Sequence, residues 1–83
     1  MEVKFKSAYM KALSKLPKHI LVASDQVVES LKNANSLQAS GVDYKKLMGE
    51  EFLYKIRIGG YQIIAEYENP DILMLIIIKW GDA

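Results

Sequence analysis

Residues 54–64 constrain this chain more than any others. They read Tyr54-Lys55-Ile56-Arg57-Ile58-Gly59-Gly60-Tyr61-Gln62-Ile63-Ile64: an alternating segment, two glycines, and a second run. Successive strand side chains point to opposite faces, so Lys55 and Arg57 share one face while Tyr54, Ile56 and Ile58 share the other. A two-residue hairpin loop needs positive φ, which glycine supplies without strain. With Gly59-Gly60 as that loop, Ile58 faces Tyr61, Arg57 faces Gln62, Ile56 faces Ile63 and Lys55 faces Ile64. One face of the hairpin is then Tyr54, Ile56, Ile58, Tyr61, Ile63, Ala65 and Tyr67, an apolar layer that something must cover. The other carries Lys55, Arg57, Gln62, Ile64 and Glu66, open to solvent or to a ligand. A one-residue slip would bury both cations at a large desolvation cost, so the register is well specified.

The covering layer comes from the first half of the chain. Val3 and Phe5 alternate with charged residues, as in a short strand. Ser7 suits a helix N-cap, and Tyr9, Leu13 and Leu16 repeat at helical spacing after it. Pro17 disfavours helical geometry at Leu16 and suits the first turn of a second helix running to about Asn33, with Ile20, Ala23, Val27 and Leu31 on one side. The polar stretch to Gly41 reads as a loop. Tyr44–Met48 reads as a short strand, and Glu68–Asp71 as a turn around Pro70. Ile72–Ile78 is apolar throughout and reads as a central strand covered on both faces; the alternative is a short buried helix. The expected architecture is α+β: an N-terminal strand and a helical hairpin packed on one face of a small antiparallel sheet. Eighty-three residues, with no repeat and no long linker, make this one domain over 1–83.

Composition excludes several classes. There is no cysteine, hence no disulfide and no thiol chemistry, and with one histidine there is no metal-ligand constellation. The longest apolar run has seven residues, whereas a membrane-crossing helix needs roughly 20. No signal peptide is evident at the N-terminus, so a cytoplasmic protein is expected. The formal net charge is +1, so any nucleic-acid surface must be a patch assembled by folding rather than a bulk basic excess. His19, early in the second helix, reads as a surface residue. Glu66 reads as the acidic half of a cross-strand ion pair on the open face.

The hairpin motif resembles the core of the RelE/ParE family of bacterial toxins, whose members often read Tyr-Arg-Ile-Arg-x-Gly-x-Tyr-Arg-x-x-Tyr. The likeness covers nearly the whole chain: Phe5 with its following helix, the Leu16-Pro17 junction, the second helix, and Leu47 with Gly49 ahead of the hairpin. It implies a toxin made with a cognate antitoxin, which would seat a helix in a groove left by the exposed part of the helices. It implies no cofactor, and either a homodimer or a toxin–antitoxin hetero-oligomer. RelE-like members cleave mRNA on the ribosome without a metal; ParE-like members inhibit DNA gyrase by protein contacts. For the first activity, Lys55 and Arg57 match catalytic positions, and Gln62, Lys79 and Trp80 are the expected substrate contacts, Trp80 by stacking on a base. Two departures stand out. Gln62 replaces a common arginine, and Lys79-Trp80-Gly81-Asp82-Ala83 stands where the family has a basic segment ending in a catalytic tyrosine. Loss of such a group costs about 10²–10⁴ in rate. Three readings follow: an endoribonuclease toxin with impaired activity, a gyrase-binding toxin, and a degenerate toxin that only binds its antitoxin.

Overall fold

The turn at Gly59-Gly60 organises the sheet. The computed structural model describes residues 1–79. In chain order the elements are β1 (Glu2–Phe5), α1 (Ser7–Leu13), α2 (Lys18–Lys32), β2 (Tyr44–Lys46), β3 (Leu53–Ile58), β4 (Tyr61–Glu68) and β5 (Asp71–Lys79). They form one five-stranded sheet in the order β1-β5-β4-β3-β2. The hairpin pairs Ile58 with Tyr61, Arg57 with Gln62, Ile56 with Ile63 and Lys55 with Ile64, the expected register throughout. Gly59 supplies a positive φ of 55°, while Gly60 does not share it. One positive φ at the first loop position is the sign pattern of a type II′ turn.

The sheet is mixed rather than purely antiparallel. β1 lies parallel to β5, with Val3 opposite Ile72. The chain leaves β1, crosses the sheet through α1 and α2, and so covers one face. Tyr9, Ile20, Leu31, Leu37, Ile56, Ile63, Ile72 and Met74 are fully buried between the layers. Tyr54, whose ring meets those of Tyr44 and Tyr67 edge-on at 6.0 and 5.9 Å, extends that layer toward the β2 edge.

Several boundaries differ from expectation, each for a local reason. Ser7 is the first helical residue rather than the cap. Lys6 holds extended geometry because its N–H still donates to Met74 O of β5, at 2.9 Å. α1 stops at Leu13, and tight turns carry Lys15 N–H to Ala12 O and Leu16 N–H to Leu13 O ahead of Pro17, which caps α2 from outside the helix. The loop after α2 is not simply polar: Ala34 and Leu37 enter the core, and the Leu37 N–H donates to the Tyr67 hydroxyl at 3.3 Å.

The largest correction concerns β5. It is a strand, but only one of its faces is covered. Ile72, Met74 and Ile77 are buried, whereas Ile76 and Ile78 are 36 % and 40 % exposed on the opposite face. A bulge lets these sets coexist: Ile64 pairs with Ile76 but Ala65 pairs with Met74, leaving Leu75 as the extra residue. Both helices lie on the core side, so nothing among the described residues plays their part on the other.

Candidate functional site

The open face of the sheet has three zones. At one end, β2 and β3 bring Lys45, Lys55 and Arg57 together. Lys45 lies directly opposite Lys55 in the β2–β3 register, and period-two alternation places both on the face away from Tyr44, Tyr54 and Ile56. Ile64, Ile76 and Ile78 form an apolar strip in the middle. Lys4, Glu66 and Asp71 gather at the far end.

The cationic end holds a cleft of about 310 Å³ lined by Asp43, Tyr44, Lys45, Lys55 and Arg57. Arg57 is tied to Asp43 twice. Its backbone N–H donates to Asp43 O at 2.9 Å, which carries the ladder one residue beyond β2, and its Nε–H donates to Asp43 Oδ2 at 3.2 Å. The two side chains are 60 % and 62 % exposed, so solvent screens the pair; such pairs contribute about 0.2–1 kcal/mol. Asp43 thus partly neutralises the cluster without locking it. Three cations against one carboxylate leave a local positive excess in a chain whose overall charge is nearly balanced.

The expected site residues separate. Lys55 and Arg57 sit together in the cleft. Gln62 is the direct cross-strand neighbour of Arg57, and its Oε1 is buried without a hydrogen-bond partner among the described residues. Lys79 is not with them. Its partner in the ladder is Tyr61, which puts it on the helix side of the sheet, at the exposed end of β5. Trp80 lies outside the described residues. Glu66 shares the open face with Arg57 but lines a different cavity, of about 360 Å³, and Arg57 takes its ion pair from Asp43 instead. His19 is exposed on α2, away from the open face. Among the described residues no group of three or more His, Asp or Glu side chains is gathered as a metal cage.

Two residues of the cleft, Lys45 and Asp43, were missed in the sequence. Lys45 had a signal, because alternation from the aromatic Tyr44 places it outward. Asp43 had none: it precedes β2, and its contact depends on how that edge strand docks.

No protein-family model matches the chain. Toxin RelE3 of Methanocaldococcus jannaschii is 34 % identical over 73 residues, covering 88 % of this chain and 83 % of that protein. Among solved structures, the RelB-RelE antitoxin-toxin complex of Methanococcus jannaschii contains a chain similar at a TM-score of 0.82 and 30 % identity, covering 92 % of this chain and 88 % of that one. The archaeal RelE-RelB complex of Pyrococcus horikoshii contains another, at a TM-score of 0.76 and 27 % identity, covering 99 % and 97 %. All three come from archaea, so the resemblance is wider than bacterial toxins.

Proposed function

The chain belongs to the RelE toxin family, and from that premise we propose that it cleaves messenger RNA on the ribosome and thereby arrests translation. The observation that carries this reading is the cleft in which Lys45, Lys55 and Arg57 converge on an open sheet face. Single-stranded RNA presents a phosphate and an adjacent 2′-hydroxyl to such a surface. The 2′-oxygen attacks phosphorus and gives its proton to solvent. The bond from phosphorus to the 5′-oxygen breaks, and that oxygen takes a proton from solvent. The products are a 2′,3′-cyclic phosphate and a 5′-hydroxyl.

Negative charge grows on the non-bridging oxygens as the new bond forms. Lys55 and Arg57 act by stabilising that charge from fixed positions on a rigid strand, and Lys45 adds a third cation from the edge. Gln62, opposite Arg57, contributes no charge where an arginine is common in the family, so turnover is slower than in a member with both. Lys79 is not part of this phosphate grip, because its ladder position puts it across the sheet. No metal enters this chemistry, and a cytoplasmic site of action follows from the ribosomal target.

The same reading includes a cognate antitoxin, the partner with which the two archaeal relatives are assembled. Two surfaces of this chain suit such a partner. One is the apolar strip of Ile64, Ile76 and Ile78. The other is a groove of about 380 Å³ between the helices, lined by Phe5, Met10, Leu13 and Val28 with Asp25, Glu29 and Lys32 beside them. An amphipathic antitoxin helix fits the groove, its apolar face on Phe5, Met10, Leu13 and Val28 and its polar edges against the mixed charges beside them. The gyrase-binding alternative is not favoured, since the relatives that span the chain are RelE toxins.

The test is cleavage of a ribosome-bound message by the purified protein. Removing one preorganised donor to a developing oxyanion costs about 10²–10³ in rate. Arg57→Ala and Lys55→Ala are expected to lose activity on that scale and Lys45→Ala to lose less. Equal cleavage by wild type and Arg57→Ala would remove Arg57 from the mechanism.

A further inference from the structure

We propose that Asp43 and Gln62 are alternative seats for the Arg57 guanidinium, Asp43 restraining it in the free protein and Gln62 orienting it when a phosphate occupies the cleft. The proposal rests on the RNA-binding reading above and concerns the regulation of that same cleft. Three observations meet at one side chain. Arg57 Nε donates to Asp43 Oδ2 at 3.2 Å, so in the free state the arginine leans toward the β2 edge. On its other flank, across the β3–β4 ladder, stands Gln62, its direct partner. The Gln62 carbonyl oxygen is buried and has no hydrogen-bond partner among the described residues.

A buried acceptor left without a donor is unfavourable, and a charged donor satisfies it better than a neutral one. Arg57 is the cation beside Gln62 in the ladder and carries five N–H donors in a rigid fork. While Nε is spent on Asp43, no guanidinium N–H reaches Gln62 Oε1. A bound phosphate competes with the Asp43 carboxylate for the same donors. Release from Asp43 lets the fork give one edge to the phosphate and another N–H to Gln62 Oε1, which fixes its plane. The Asp43 pair is exposed and weak, so the exchange needs little driving force. Asp43 and Gln62 are therefore positioning residues: they act on substrate through Arg57.

Arg57 is the only arginine in the chain, so its Nε–Hε signal in a proton–nitrogen NMR spectrum has no other arginine to overlap it. The probe is a single-stranded hexanucleotide RNA with 2′-O-methyl substitution at every position, which keeps the 2′-oxygen but has no free hydroxyl to attack and so binds without being cleaved. Adding it to the wild type should move the Arg57 signal away from its carboxylate-bound position, and Asp43→Asn should move it without any probe. Asp43→Asn should bind the probe about two- to fivefold more tightly, the fold-change equivalent of a weak exposed pair. That gain should vanish when Arg57→Ala is combined with it, since a gain acting only through net charge would persist. Gln62→Leu, beside the apolar strip, should weaken binding by at least about threefold and leave the Arg57 signal closer to its carboxylate-bound position in the complex.

An unchanged Arg57 signal in Asp43→Asn, a gain that survives Arg57→Ala, or wild-type affinity in Gln62→Leu would each overturn the proposal. Failure of the RNA reading shows differently: the wild type would not bind the hexanucleotide at all. The exchange would then be judged with inorganic phosphate, which must still shift the Arg57 signal in the wild type and do so at a lower concentration in Asp43→Asn.

Discussion

Substituting the two loop glycines separately tests how the hairpin holds its cations in place. Gly59 has a φ of 55°, and a Cβ added there would lie 2.8 Å from Ile20 Cδ1. Left-handed geometry costs an L-residue about 1–2 kcal/mol. Ile20 is only 2 % exposed, so its end has little room to retreat, and forcing an extra carbon into a packed core costs about 1–3 kcal/mol. Against this, alanine restricts the unfolded chain, which returns about 0.4–1 kcal/mol. The net for Gly59→Ala is a loss of about 3 kcal/mol, or about 12–24 °C in Tm for a domain of this size. Gly60 has no positive φ, and nothing lies within 4 Å of a Cβ built there. Gly60→Ala should therefore be neutral or slightly stabilising. Ile20→Val removes the clashing Cδ1 and costs about 0.5–1.5 kcal/mol by itself. In that background the penalty of Gly59→Ala should shrink to the backbone part. Thermal unfolding followed by circular dichroism reads the four variants against the wild type. Equal effects of the two alanines, or a Gly59→Ala penalty unchanged by Ile20→Val, would refute the account of the turn.

Other outcomes follow from the packing. Leu37 is fully buried although its loop reads as polar, so Leu37→Ala should cost about 2–5 kcal/mol in denaturant unfolding, as for a core residue. Burial pushes the Tyr9 phenol up from its usual value, with a hydrogen bond to Ser24 partly opposing it and Asp25 adding to the rise. A group whose folded pKa is raised contributes stability that is present below the unfolded pKa and lost above it. Stability should therefore fall as pH rises past about 10, the ordinary tyrosine value, and Tyr9→Phe should flatten that alkaline slope in unfolding measured from pH 8 to 11.

The parts of this fold that were legible in the sequence are those in which local geometry decides. A two-residue glycine turn admits one register, and that register alone sorted seven apolar residues from the cations behind them. The parts that were not legible depend on distant docking. Alternation in Val3 and Phe5 identifies a strand but not its neighbour, so the parallel pairing of β1 with β5 could not be read. The unbroken apolar run of β5 suggested two covered faces because an apolar sequence does not show whether an element covers it: Ile76 and Ile78 are apolar yet face outward, in a phase set by the bulge at Leu75. Leu37 was hidden by its polar surroundings, although a lone leucine in such a stretch was a signal. At the site, Lys55 and Arg57 followed from the hairpin. Asp43 did not, because its contact is made by a loop end placed by the β2 edge.

The central claim is that the cationic end of the open sheet face cleaves messages during translation. Induced expression of the wild-type chain without an antitoxin, with mapping of mRNA 5′ ends, tests it most directly. The account predicts growth arrest, new ends inside translated reading frames, and a fall of about 10²–10³ in their rate of appearance in Arg57→Ala. Intact messages in arrested cells, or new ends appearing equally fast with Arg57→Ala, would contradict it.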